Sequence, residues 1–415
     1  MFAATVQEAP HNFGGLVAIR CSDGTMKILM ATHYFGSHKG GIEIVADELF
    51  RGLAAREQQV VWVAGDVTPP PDPVGRSRTV PLHVLNWVEK RIGLPFPIPT
   101  PNALKKLAVE VSEADVVLLH DCLYLSNIAA FLIAKSRNIP VVIVQHTRLS
   151  PYNSNTLNAV MSFSNAVVTR PMLSQAGQVV FISETTNNFF ANLRYRRPPE
   201  VVFNGVDTKL YRPPVAEEKA SLRRQYELPG GQPVILFAGR FVEKKGISIL
   251  KRMVALKPTW TWVFAGWGPL DPCSWNAENA LVFSGLRGSS MADLYRACDL
   301  LVLPSTGEGF PLVVQEALAS GLPVVCGDET LAADPGMEPF VRGVPVYAGD
   351  DERTSQEFVS AIDELLKSDA GSRERSEGRR AFAATRYSWQ HAIERYLEIA
   401  SLLVSPATSG QAVSQ

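Results

Sequence analysis

The chain has 415 residues, which at roughly 100–200 residues per domain is room for about two domains. Hydrophobic residues make up 46% and charged residues 20%, ordinary globular usage that excludes wholesale disorder, a collagen-like repeat and a coiled coil. Lys and Arg total 40 against 41 for Asp and Glu, a net charge of −1, so no basic excess points to nucleic acid.

Residues 1–25 lack a signal-peptide core, and Met26-Lys27-Ile28 is the more natural start, so they read as an extension of a cytoplasmic chain. No apolar run reaches the roughly 18 residues of a spanning helix. Cys21, Cys122, Cys273, Cys298 and Cys326 are scattered with no Cys-x-x-Cys, against both a disulfide framework and a structural zinc site. Residues 27–31 (KILMA) predict the first strand. Gly36-Ser37-His38-Lys39-Gly40-Gly41 follows it, and its glycines let a backbone approach a ligand closely. This loop is neither the dinucleotide fingerprint nor a Walker loop. Ile44, Val45, Leu49 and Leu53 then recur at helical spacing.

Residues 60–64 (VVWVA) predict a second strand, and 68–73 (TPPPDP) a loop, because consecutive prolines do not enter a ladder. Residues 82–107 interleave Trp87, Ile92, Leu94 and Phe96 with Lys90, Arg91, Lys105 and Lys106. That pattern suits either a packed helix with a proline-rich loop or peripheral contact with an anionic membrane, Trp87 and Phe96 then lying on the acceptor side. Residues 116–119 and 141–144 predict buried parallel strands, apolar on both faces. They end in His120 and His146, positions that open into the ligand crevice of an α/β sheet, although a structural hydrogen-bonded histidine is the competing reading.

After two proline-rich stretches near residues 196–199 and 212–214, the same grammar repeats in residues 233–237, 261–264, 300–303 and 323–326. The expectation is an α/β protein of two doubly wound domains with a cleft between them. Gly239 to Gly246 (GRFVEKKG) opens after a strand, and Arg240 and Lys245 suit a diphosphate. Residues 304–321 (PSTGEGFPLVVQEALASG) predict a turn, a helix with Pro311 in its first position, and a stop at Gly321. The exposed N–H groups at Gly309, Phe310, Pro311 and Leu312, less the proline's, form an anion site. Glu308 and Glu316 frame it and suit the hydroxyls of a sugar or ribose, the competing reading being a helix-start acid and a solvated helical one.

Taken in order, these segments resemble the family-4 retaining glycosyltransferases. The match runs from Met26 to about Ala400, through Gly40-Gly41, Ile182-Ser183-Glu184, Asn204-Gly205-Val206-Asp207, Gly239-Arg240, Lys245-Gly246, Gly266-Trp267-Gly268-Pro269 and Tyr387-Ser388-Trp389. Glu308 and Glu316 are similar to the family's Glu-x7-Glu signature. The resemblance implies the GT-B fold, two Rossmann-like doubly wound domains facing across a cleft. Residues 26–200 would form the acceptor-side domain and 201–385 the nucleotide-sugar domain, with 386–405 a helix returning to the first and 406–415 a flexible tail.

The resemblance further implies transfer of a sugar from a nucleoside-diphosphate sugar, with retention and without metal or other cofactor. Arg240 and Lys245 would hold the diphosphate, Glu316 the ribose and Glu308 the sugar hydroxyls. His146 would lie beside the sugar near the reacting carbon, and Gly40 and Gly41 would close over the diphosphate. His120 matches a strand-end position on the acceptor side. Trp267 and Pro311 depart from many relatives, which have Asp and Gly there. Fixed positive charge from Arg240, Lys245 and the helix start suits a departing diphosphate. The chain is similar to bacterial relatives that build cell-surface polysaccharide, implying a glycan or lipid-linked acceptor at the inner face of the membrane. A nucleotide-sugar epimerase of the same architecture and an inactive GT-B binding protein are the rival readings.

Overall fold

The computed structural model describes residues 25–38, 40–87, 91, 96–148, 155–369 and 372–404. Lys39, Lys90, Ile92, Leu94, residues 1–24 and the tail from 405 lie outside the described residues. The first sheet contains β1 (Lys27–Ala31), β2 (Gln59–Gly65), β3 (Arg78–Leu82), β6 (Val116–His120), β7 (Val141–Gln145), β8 (Gln178–Phe181) and β9 (Glu200–Val201). A short antiparallel pair, β4 (Val84–Leu85) and β5 (Ile98–Pro99), lies outside it. The second sheet contains β10 (Val234–Arg240), β11 (Thr261–Trp267), β12 (Ala280–Phe283), β13 (Leu300–Leu303), β14 (Val324–Gly327) and β15 (Val341–Val344).

Every pairing within the two large sheets is parallel. Their orders are β3-β2-β1-β6-β7-β8-β9 and β12-β11-β10-β13-β14-β15. Strand order reverses between β1 and β6 in one and between β10 and β13 in the other, and ligand crevices open beyond the strand ends at such points. The glycine loop and His120 flank the first reversal, and Arg240 and Glu308 flank the second. All five residues of β6 and of β7 are buried, as a sheet covered on both faces requires.

The central strands fall where their apolar runs predict. Differences appear at the margins. β10 and β11 extend to Arg240 and Trp267, so Gly239 and Arg240 belong to the strand rather than the following loop. Pro311 is the cap of the helix Leu312–Ala319, with φ −71° and ψ 125°, instead of its first residue. The strands β3, β8, β9, β12 and β15 are additions, most of them short or toward a sheet edge.

The chain crosses between the sheets twice, and the crossings touch. Val206 N–H donates to the Tyr387 carbonyl at 2.8 Å, and Val206 and Ser388 form a parallel bridge. The buried Asp334 anchors this point, accepting from the Tyr387 hydroxyl at 2.7 Å and from the Arg386 guanidinium. The helix Trp389–Val404 then lies against the first sheet's layer, with Arg395 paired to Glu200 at 2.6 Å and Ile393 seated over Gly52. One apolar cluster accordingly includes Leu49, Trp62, Ile393, Ile399, Phe237 and Leu301.

Gly205 adjoins this crossing, where an added Cβ would overlap the Trp389 indole and backbone nitrogen. Gly205→Ala is expected to destabilise the protein by about 1–3 kcal/mol through overpacking. Melting temperature and the rate of proteolytic release of the last helix check this, both moving toward instability.

Candidate active site

The two strand reversals face each other. A Cβ on Gly309, which follows β13, would overlap the His146 carbonyl oxygen at the end of β7. Only a glycine at 309 lets the turn of the second sheet approach the first so closely.

On the second sheet, β10 delivers Gly239 and Arg240, and a 3-10 turn at Glu243–Lys245 brings Lys245 back toward the strand ends. Gly246 takes φ +75°, and a Cβ there would overlap the Pro304 carbonyl, so the turn packs directly on the end of β13. The result is contact between two sequence-distant site residues, Lys245 Nζ lying 3.0 Å from Glu308 Oε1 with both side chains mostly buried. Arg240 is exposed, and its guanidinium lies over the Trp267 ring, 4.9 Å from the centroid. The tryptophan that departs from many relatives is therefore a cation–π platform that holds Arg240 at the cleft.

Phe310 and Pro311 are buried and Leu312 half-buried where the helix Leu312–Ala319 begins. Glu316 is not the solvated helical acid of the competing reading. It accepts from the Tyr295 hydroxyl at 2.8 Å and from Tyr211. Burial pushes its carboxyl up, and the two phenols oppose that shift. Glu329 backs the turn, accepting from Gly307 N–H at 2.5 Å and pairing with Arg148, two residues beyond His146. An ion pair thus spans the cleft beside the glycine turn.

On the first sheet, His120 Nδ1 and His146 Nε2 are 2.9 Å apart, and both residues are buried. Burial holds the His120 imidazole down at about 3 and, with His120 and His33 adding to it, drives His146 well below its ordinary value. Both rings are therefore neutral near pH 7. Asp121, in the left-handed region at φ +61°, accepts from His146 N–H at 2.7 Å and Thr147 N–H at 3.2 Å. Burial pushes its carboxyl up to about 6.

Gly40 caps the helix Gly41–Ala54 with extended backbone, and Gly41 has open space where a Cβ would sit. The structure thus gathers Arg240, Lys245, Glu308, Gly309, Phe310, Pro311, Leu312 and Glu316 at one strand edge, with His146 against them and His120 behind it. Trp87 is 58% exposed and Phe96 half-buried. No described contact joins either of them to the histidine pair. Among the described residues, no group of three or more His, Cys, Asp or Glu is placed to hold a metal ion, and no helix is long and apolar enough to cross a membrane.

Sequence reasoning missed Tyr211, Tyr295, Arg148, Glu329, His33 and Glu43. Only Glu43 carried a local signal, as the third residue of a helix opening at Gly41, where an acid folds back on the helix start.

Residues 39–210 match the model of glycosyltransferase family 4, and residues 232–368 that of glycosyl transferases group 1. A D-inositol 3-phosphate glycosyltransferase from Catenulispora acidiphila is 30% identical over 69% of this chain and 72% of its own. Another, from Xylanimonas cellulosilytica, is 27% identical over 87% of this chain and 91% of its own. Among solved structures, sucrose-phosphate synthase from Thermosynechococcus elongatus superposes with a TM-score of 0.69 at 19% identity, over 91% of this chain and 99% of that one. Anabaena Alr3699/HepE in complex with UDP-glucose gives 0.67 at 18% identity, over 91% of this chain and 100% of that one. The fold is the one these structures share, and the chain belongs to the family-4 glycosyltransferases of GT-B architecture.

Proposed function

We propose that this protein transfers a sugar, with retention of configuration and without a metal, from a nucleoside-diphosphate sugar to a glycan or lipid-linked acceptor in cell-surface polysaccharide synthesis. The observation that carries the reading is the meeting of Lys245, Glu308 and Gly309 with His146 across the cleft. Lys245 and Glu308 neutralise each other. An arriving diphosphate draws Lys245 to itself, with Arg240 and the helix start at Leu312 as further positive charge, and frees Glu308 for the sugar hydroxyls. Gly40 and Gly41 approach the diphosphate from the first sheet, Glu316 takes the ribose, and His146 lies beside the sugar. As the glycosidic C–O bond breaks, positive character at the reacting carbon meets Glu308, and the leaving diphosphate takes the acceptor's proton on the same face. Nucleotide-sugar use is supported by the UDP and UDP-glucose complexes of the Anabaena neighbour.

A second acceptor reading has a specific basis. The relatives that span most of this chain are named D-inositol 3-phosphate glycosyltransferases, and Arg148 beside His146 offers a cation for a phosphorylated polyol. Transfer of labelled sugar to a polyprenyl-linked glycan but not to D-inositol 3-phosphate supports the first reading, and the reverse supports the second. Donor incubated alone should yield no epimer.

Arg240→Ala and Lys245→Ala should each lower kcat by roughly 10²–10³, the loss of a donor aimed at developing negative charge. Unaltered kinetics in both would remove the diphosphate assignment. Activity should persist in excess EDTA, whereas loss in EDTA with recovery on Mg²⁺ or Mn²⁺ would contradict the metal-free scheme.

The two glutamates should separate. Glu308→Gln should lower kcat, because its charge matters most as the carbon becomes positive. Glu316→Gln should chiefly raise the donor KM, because it loosens ribose binding equally in ground and transition states. Wild-type kinetics in both variants, measured with donor varied, would defeat the assignment.

A further inference from the structure

Behind His146 the structure holds a buried acid–imidazole pair. His33, just past β1, places Nε2 at 2.9 Å from Glu43 Oε1, and the two residues are 4% and 2% exposed. The other carboxylate oxygen, Oε2, occupies the space that a Cβ on Gly40 would need. One carboxylate therefore touches both the glycine loop and an imidazole. That imidazole is clamped, stacked on the Tyr124 ring at 3.9 Å between centroids and 8° between planes.

Two ring nitrogens nearby have no partner among the described residues, although both are buried: His33 Nδ1 and His120 Nε2. Their strands are neighbours, with Ala31 opposite Leu119, and both histidines follow within two residues of that register. A buried polar atom without a partner costs free energy, so the pair calls for one donor and one acceptor. The carboxylate dictates which is which. Glu43 accepts from His33 Nε2–H, so in the neutral ring Nδ1 is an acceptor. His120 Nε2 must then carry the proton that reaches Nδ1 through one bridging water. With that proton on Nε2, neutral His120 has an acceptor at Nδ1, which His146 Nε2–H fills at 2.9 Å.

We propose that Glu43 and His33 are positioning residues that set the tautomer of the His120–His146 pair, so that His146 presents Nδ1 as its acceptor nitrogen. The donor-to-acceptor order runs one way, from His146 to His120 and from His33 to Glu43, with the unpartnered His120 Nε2 and His33 Nδ1 between the two bonds. A sugar hydroxyl meeting His146 then donates to it, and the ring is fixed in that role before the donor arrives. Through Glu43 Oε2 the same carboxylate supports the glycine loop. The inference rests on the role given to His146 above, but its first test does not depend on activity.

In protein labelled with ¹⁵N-histidine, seven histidines are to be assigned by single substitution. Two-bond ¹H–¹⁵N spectra at pH 7 should show His33, His120 and His146 in the Nε2–H form. His120 found as Nδ1–H, or doubly protonated, overturns the proposal. The second test is the paired variant His33→Phe with Glu43→Leu, which keeps the stack on Tyr124 and strands no buried charge. It should release His120 from the Nε2–H form and lower kcat at least tenfold. Wild-type kcat in that variant also overturns the proposal. His146→Ala separates this inference from the reaction itself, because wild-type activity there removes the catalytic role of His146 and leaves the tautomer pattern to stand or fall by its spectrum.

Discussion

Charged side chains gathered where two packed sheets meet have to find partners within the protein. A lone ion taken out of water costs about several kcal/mol even after the protein relaxes, so each buried ionic group near the strand ends has an internal partner. Lys245 rests on Glu308 and Arg148 on Glu329, while Glu316 rests on two phenols and Glu43 on an imidazole. These pairs differ in kind: Lys245 and Glu308 set charge against charge, whereas Glu316 is held by two neutral phenol donors.

The placement of those groups follows from strand order. A parallel sheet sends each strand into a loop at the same edge, and the reversal of order leaves a gap between two loops that diverge to opposite faces. The first sheet puts the glycine loop and the histidine ends around such a gap, and the second puts Arg240 and Glu308 around its own. With the two edges turned toward each other, the site needs no residue from a sheet's middle. The apolar cores and the polar cleft are thereby kept apart, and the left-handed Asp121, at φ +61°, falls directly after β6.

The parts legible in the sequence were those whose signal is local. β1 and β13 are runs of apolar residues buried on both faces, and their ends coincide with the predicted ones. β15, with the sequence VRGV at the end of its sheet, sets an exposed arginine and a glycine between buried valines, and no periodicity stands out from four such residues. The carboxylates of the Glu-x7-Glu signature were visible, yet the surroundings of Glu316 were not. Tyr295 lies on the preceding helix and Tyr211 in the other half of the chain's crossing region, so only folding brings them to the acid. His33 and Glu43 escaped for the same reason, since the meaning of each lies in the other and in His120.

The double crossing has a mechanical consequence. Were the sheets joined by a single segment, they could swing in any direction. Here the outgoing and returning segments lie side by side, bonded through Val206 to Tyr387 and clamped by Asp334. Two adjacent tethers act as the leaves of a door hinge, admitting rotation about the line through them and opposing shear and twist. The contacts of Arg148 with Glu329 and of His146 with Gly309 both lie across that line, so rotation about it would part them together.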